Sequence, residues 1–413
     1  MTDPYAPYLD WIDKQHDALV EQLITWSRIN SGSRHLAGLE RMGAELEKSF
    51  AALGGEIETL ALAPMEVVGQ SGQVEAVPLG RALRMVKRPG ARHRVFLGGH
   101  MDTVFGADHP FQDTAWRDRN TLVGPGAADL KGGLLVMRTA LEALERSPWA
   151  EAVGWEVLLN PDEEIGSPGS APLLEAAARR NHMGLVYEPA LPDGTLAGAR
   201  KGSGNFAFVV RGRAAHAGRE HPLGRNAVAA LSRLIAAVDA LNGERAGVTV
   251  NPARIQGGGA LNIVPDLAIG HLNVRVQSAE EQAWVEETLA RLQARFGAED
   301  GIEVTLHGGF SRPPKTLTQE NLVLFEMIRE CGQALGVPID WQPTGGCCDG
   351  NNLAAGGLPN VDTLGVRGGG IHTSEEFILV DSLTERARLS ALLLMRLGAG
   401  ELIWPEDTQA GAP

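Results

Sequence analysis

The sequence predicts an α/β protein with an inserted α+β unit. Between about residues 94 and 189, apolar strand-like runs alternate with helix-like segments, the order of a sheet covered by helices. From about Lys201 the order becomes strand, helix, strand, strand, helix, strand, that of a ferredoxin-like βαββαβ unit. A length of 413 residues exceeds one ordinary core and fits two such units.

Residues 8–29 (YLDWIDKQHDALVEQLITWSRI) and Leu39–Leu53 have helical apolar spacing, and the second stretch stops at Gly54-Gly55. Arg94–His100 (RVFLGGH) reads as a buried strand, and Lys131–Leu144 as a buried helix with small residues at its start. Trp155–Asn160 is the next strand, Leu173–Arg180 the next helix and Gly184–Pro189 a third strand. The inserted unit comprises the strand FAFVVRG, the helix Asn226–Leu241, the strands GVTVNPARIQ and LAIGHLNVRVQ, the amphipathic helix Ala279–Phe296 and the strand IEVTLHG. The α/β pattern resumes at Ser311-Arg312-Pro313-Pro314 with a helix at Asn321–Leu335, a strand at Asn360–Val366 and a helix at Leu383–Leu397. The expected domains are residues 1–200 with 311–413, and residues 201–310. The terminal EDTQAGAP is expected to fray.

A net charge of −14 argues against a nucleic-acid partner, while a few local arginines can still make a pocket for a small anion. Three cysteines, Cys331, Cys347 and Cys348, give no disulfide framework and point to a reducing compartment. The start of the chain lacks a basic segment followed by an apolar run, and no stretch approaches ~18 uninterrupted apolar residues, so neither a secretory signal nor a membrane span is expected. The cytoplasm is the expected location.

Acidic and histidine residues recur where apolar runs end: His100 and Asp102 in GGHMDTV, Asp129 in GPGAADLKGG, Glu163 and Glu164 in LLNPDEEIGS, Glu188 in LVYEPA, and His372 in GGGIHTSEE. Strand ends are where open α/β sheets place ligand sites. Nitrogen and oxygen donors away from cysteine suit a zinc-like ion that does chemistry. Residues two apart on a strand face the same side, so Asp102 can support the ring nitrogen of His100 that a metal leaves free. Asp129 reads equally as a helix N-cap. Adjacent Glu163 and Glu164 repel unless a cation or proton separates them; a metal on one leaves the other free as a general base. The glycines before His372 allow close approach to a ligand. The reading is a metal-dependent hydrolase.

In order and spacing these motifs resemble the co-catalytic zinc aminoacylase and carboxypeptidase superfamily over about residues 10–400, nearest its glutamate carboxypeptidase branch, with acetylornithine deacetylase and succinyl-diaminopimelate desuccinylase as relatives. That resemblance implies a catalytic domain with a mixed central sheet and an inserted lid through which the chain forms a homodimer. It implies two divalent ions, zinc first and cobalt or manganese as alternatives, bridged by Asp129. His100 and Glu188 complete one site, Glu164 and His372 the other. Glu163 is then the base that activates a metal-bridging water, Asp102 orients His100, and the Asp129–Leu130 peptide is cis. His216 in RAAHAGREHP matches a lid histidine that steadies the oxyanion in the partner subunit's site. Asn262, Arg275 and Arg312 match positions that hold the substrate, and arginine suits a carboxylate because its fork donates two hydrogen bonds.

The chain departs from the family at Gly345-Gly346-Cys347-Cys348-Asp349, where Gly-Gly-Gly followed by Ser or Thr and Asp is usual. The branch's substrate lysine is not evident near Thr195, with Arg200-Lys201 a few residues on. The implied reaction is amide hydrolysis of an N-acyl amino acid or short peptide with a free carboxylate. A deacylase of acetyl- or succinyl-amino acids shares the same metal core. A non-catalytic metal- or peptide-binding relative would lack the base or a ligand, and all six positions are filled here.

Overall fold

The computed structural model describes residues 3–405, so EDTQAGAP lies outside the described residues. The larger unit is built on a six-stranded mixed sheet in the order Glu56–Ala61, Arg81–Lys87, Val153–Asn160, His93–His100, Met183–Val186, Asn360–Val361. The last four run parallel, with His100 level with Asn160, and Gly98 paired to both Leu158 and Val186. Their carboxyl ends therefore open on one edge. The first two strands are antiparallel additions at the far side.

Side chains alternate across this sheet, as a pleat requires. Val95, Leu97, Val157, Leu159 and Leu185 face a core built with the helices Leu36–Phe50, Gly132–Arg146, Gln319–Leu335 and Ser382–Ala399. Phe96, Leu158 and Val186 face the opposite core, with Leu174, Ala177 and Leu353 from the short helices Ala171–Ala178 and Asp349–Ala355. Helices on both faces are the expected α/β arrangement.

The second unit is an antiparallel sheet in the order Thr249–Gly257, Leu267–Val276, Gly202–Arg211, Glu303–Arg312, packed against the helices Ala227–Asp239 and Ala279–Gly297. Phe208, Leu231, Leu272 and Leu289 lie in a core of its own. Ser278 and Glu281 form a reciprocal cap at the start of the second helix. The chain enters beside the point where it leaves: Arg200 and Lys315 exchange backbone hydrogen bonds of 2.9 and 3.0 Å.

Several expectations need correction. Residues 8–29 form two helices, Ala6–Asp13 and His16–Ser27, broken at Lys14-Gln15. The expected strand Asn360–Val366 is ladder-paired only at Asn360–Val361, and the strand containing Met183 stops at Val186, before Glu188. The strands Glu56–Ala61 and Arg81–Lys87 and the hairpin Met65–Val68/Val74–Val77 were not anticipated. Glu56–Ala61 is an edge strand with four exposed residues and no buried one, so it lacks the buried apolar face that marks a strand. The hairpin reaches the second unit, where Arg211 Nη2 donates to the carbonyls of Ser71 and Gly72 at 3.0 and 3.1 Å.

Candidate active site

The carboxyl edge of the parallel strands gathers the chemistry. His100 ends its strand. Glu163 and Glu164 follow Val153–Asn160 on a single turn, which Asp162 braces by accepting from the Gly169 and Ser170 amides at 2.7 and 3.1 Å and from Ser170 Oγ at 2.6 Å. Glu188 lies two residues beyond Val186. The sheet edge cannot supply Asp129 or His372, and loops bring both. Asp129 is not a helix cap: the helix starts at Gly132, and Asp129 has φ −117° and ψ 89°. The Asp129–Leu130 peptide is cis, as the resemblance implies. Gly133 lets the helix press on the strand end, because a Cβ there would stand 2.1 Å from the Tyr187 carbonyl.

Asp129 lies between the two histidines. Its Oδ1 is 3.0 Å from His100 Nε2 and its Oδ2 is 3.3 Å from His372 Nε2. Glu188 Oε1 is 3.9 Å from the same His100 nitrogen, and Glu164 Oε2 is 3.1 Å from that of His372. Donor atoms of His100, Glu163 and Glu188 fall within 4.8 Å of one another, as do those of His100, Asp129 and Glu164, so the donors form one continuous cluster. The other ring nitrogen of His100, Nδ1, faces Asp102, 3.0 Å from its carbonyl oxygen and 3.4 Å from its carboxylate. That carboxylate also accepts from the Glu163 and Glu164 amides, both at 3.1 Å, and from Ser33 Oγ at 2.7 Å. Asp102 thus sets both the imidazole and the turn carrying the glutamate pair.

The electrostatics favour cations. Burial, then neighbouring carboxylates, push Glu188 well above the usual carboxylate range, and burial does the same to Glu163 despite the opposing charge of Arg312. Hydrogen bonds to Asp129 and Glu164 push His372 up to about 11. Protons here offset clustered negative charge, which divalent ions offset equally well. The buried Oε1 atoms of Glu164 and Glu188 have no hydrogen-bond partner. Two imidazoles, three carboxylates and unmet acceptors fit a pair of divalent ions.

A cavity of about 460 Å³ adjoins the cluster. Asp129, Glu163, Glu164, Glu188 and His372 line it together with Arg200, Arg275, Arg312, Cys347 and Cys348. Arg312 is buried and engages the glutamate expected to be the base: its Nη2 donates to Glu163 Oε1 at 2.6 Å and to the Glu163 carbonyl at 2.5 Å. This pairing was not anticipated. Arg200 lines the cavity near Thr195, and its Nε donates to Asp362 Oδ2 at 2.8 Å, an oxygen that buried Lys315 also reaches at 2.7 Å. Among the described residues, His216 and Asn262 do not line this cavity. Both are exposed and adjacent on the second unit, His216 opposite Ile263 in a two-residue ladder and the Ala217 amide donating to the Asn262 carbonyl at 2.9 Å.

The glycines before His372 serve the backbone rather than a ligand. A Cβ on Gly368 would stand 2.4 Å from the Phe377 carbonyl, and one on Gly370 (φ 65°) 2.6 Å from that of Glu375. His372 itself has φ 65°, a conformation non-glycine residues adopt when the surroundings impose it. Glu376 was missed in the sequence. Buried, it accepts from the amides of Gly126, Ala128 and Asp129 at 3.1, 2.8 and 3.0 Å, tying the Asp129 loop to the His372 loop. Its only signal was its place in TSEE. Glu376→Ala, leaving three donors unpaired, is expected to weaken metal affinity by about 10–100-fold, the usual cost of losing support behind a ligand. Isothermal titration with zinc measures this, and unchanged affinity contradicts it.

The chain is similar to known proteins over nearly its whole length. Carboxypeptidase G2 of Pseudomonas sp. (strain RS-16) is 28% identical over 403 residues, spanning 94% of this chain and 91% of that protein. Succinyl-diaminopimelate desuccinylase of Albidiferax ferrireducens is 25% identical, spanning 92% and 98%. An M20 family metallo-carboxypeptidase from Sulfolobus solfataricus superposes with a TM-score of 0.70 at 18% identity, covering 92% of this chain and 99% of that one. The Bacillus subtilis YXEP protein, described as a dinuclear metal-binding peptidase, shares the fold with a TM-score of 0.63 at 17% identity, covering 95% and 100%. With the profile of peptidase family M20/M25/M40 matching residues 96–396, this chain belongs to that family.

Proposed function

We propose that this protein hydrolyses the amide bond of N-acyl amino acids or short peptides with a free carboxylate, in the manner of a glutamate carboxypeptidase, using two divalent ions. One observation carries the reading: each oxygen of the single carboxylate Asp129 faces a different histidine, and each histidine has its own glutamate. In this reading His100 and Glu188 would hold one ion and Glu164 and His372 the other, with Asp129 serving both; zinc is the expected metal, cobalt or manganese the alternatives. When bound, the ions supply Lewis acidity to the amide carbonyl and to water.

The side chains do the rest. Asp102 fixes the tautomer and aim of His100. Glu163 takes a proton from the attacking water and returns it to the departing amine. Arg275 and Arg312 hold the substrate carboxylate. Lid closure brings His216 of a second copy and Asn262 to the developing oxyanion. Homodimerisation through the second unit is supported by the exposure of Leu261 and Ile263 around Asn262. A cytoplasmic location is supported by three free cysteines; no helix among the described residues is long and apolar enough to cross a membrane.

A second reading, a deacylase of acetyl- or succinyl-amino acids, keeps the same core and is favoured by the desuccinylase relative, matched over 98% of its length. A panel of dipeptides and N-acyl amino acids, assayed with the zinc- or cobalt-loaded protein, tests both. Amide hydrolysis that a chelator abolishes and added metal restores is expected, and the best substrate separates the two. No hydrolysis from protein carrying both ions contradicts the proposal.

A further inference from the structure

Cys347 has no part in the proposed hydrolysis, yet it stands in the substrate cavity. It occupies the stretch where the family resemblance leads one to expect a further glycine. Its Sγ accepts from Arg275 Nη1 at 3.0 Å and lies 3.7 Å from Arg312 Nη1. It is half-buried and lines the same cavity as Glu163 and both arginines. Arg312, itself only 7% exposed, also has a buried Nε with no hydrogen-bond partner, so its guanidinium holds unmet donor capacity beside the sulfur.

The other two cysteines are placed differently. Cys331 lies in the apolar core, and burial pushes its thiol up to about 12. Cys348 is buried at the start of the Asp349–Ala355 helix, accepting from the Gly350 amide, and burial pushes its thiol well above the ordinary value. Burial also pushes Cys347 up, but the charges of Arg312 and Arg275 outweigh it and hold the thiol below its usual value. The thiolate is the form that reacts with electrophiles and peroxides. Two guanidiniums converging on one anion form a receptor, and here its resident anion is oxidisable.

We propose that Cys347 is an oxidation switch of the substrate pocket: a hydroperoxide converts its thiolate to a sulfenate, which Arg275 and Arg312 hold in place of the substrate carboxylate until a thiol reductant removes it. The proposal rests on the reading of those arginines as carboxylate ligands. Sγ attacks one peroxide oxygen, the S–O bond forms and the O–O bond breaks. The leaving oxygen departs with the bonding pair and takes the proton of the new S–OH group, which leaves the sulfenate. Sulfur loses two electrons and the peroxide gains them. The added oxygen meets the guanidinium fork as a carboxylate oxygen does and fills the space beside it. A reducing thiol then gives its proton to the sulfenate oxygen and attacks the sulfur, and hydroxide leaves. A second thiol displaces Cys347 from the mixed disulfide, regenerating the thiolate.

The test treats the metal-loaded, full-length protein with hydrogen peroxide and dimedone and follows all three cysteines by peptide mass spectrometry. Cys347 should label at least about tenfold faster than Cys331 and Cys348, and saturating glutarate should slow it. Peroxide without dimedone should raise KM for a carboxylate-bearing substrate at least about tenfold, reversed by dithiothreitol. Cys347→Ser and Cys347→Ala, each compared with its own untreated activity, should show no change on the same exposure. Labelling of Cys347 no faster than of Cys331, labelling that leaves KM unchanged, or equal sensitivity in both variants overturns the proposal. Labelling and glutarate protection are read without turnover. Fast, protected labelling in a protein that hydrolyses nothing on the panel therefore supports the anion receptor and counts against the amide-hydrolase reading alone.

Discussion

Glu163→Gln is expected to lower kcat by about 10²–10⁴-fold while leaving two metal ions bound, because general acid–base catalysis is worth about that much. Glutamine keeps an oxygen that can accept from Arg312, which now bonds Glu163 Oε1 at 2.6 Å, so the turn and its ion-pair partner stay in place. What is lost is the proton acceptor. The residue next to it behaves differently: Glu164 Oε2 contacts His372 at 3.1 Å and its Oε1 has no partner, so Glu164→Gln is expected to cost metal first and rate in consequence. Metal analysis beside steady-state kinetics separates the two. Loss of an ion in Glu163→Gln would contradict its assignment as the base.

Asp129→Ala is expected to depopulate both metal positions at once. The carboxylate faces His100 with one oxygen and His372 with the other. Affinity should fall at both positions by more than the roughly 10–100-fold that losing a mere support for a ligand costs. Glu188→Ala and Glu164→Ala should each weaken one position only. Equilibrium dialysis against zinc at fixed concentration, with bound metal counted for the three variants, makes the comparison. Retention of both ions in Asp129→Ala would show that the carboxylate does not bridge them.

Sequence alone located the donors because each sits at an abrupt change from apolar run to polar turn, a change strand ends impose on an open sheet. His100 could be placed at the residue: it closes a strand level with Asn160. The βαββαβ order was legible because its two helices and four strands are long and strongly periodic. The bonds that position those donors were not legible. Ser33, Asp162 and Glu376 act through backbone amides distant in sequence or within turns, and a carboxylate in a polar loop gives no sign of what it accepts. The pairing of Arg312 with Glu163 spans 149 residues and depends on how the two units meet. His216 and Asn262 stood on resemblance alone, and within one chain they lie away from the cavity. Glycine-rich Gly368–Gly370 suggested a ligand approach, but the same signal marks two backbones in contact, and that is what the loop contains.

The most direct test of a bridged pair of ions is crystallographic. Diffraction from zinc-loaded crystals, collected above and below the zinc edge, should show two anomalous peaks about 3.5–4 Å apart, the usual spacing of paired catalytic ions, with one Asp129 oxygen on each. His100 and Glu188 should flank one peak, Glu164 and His372 the other. A single peak, or two peaks that do not share Asp129, would contradict the account.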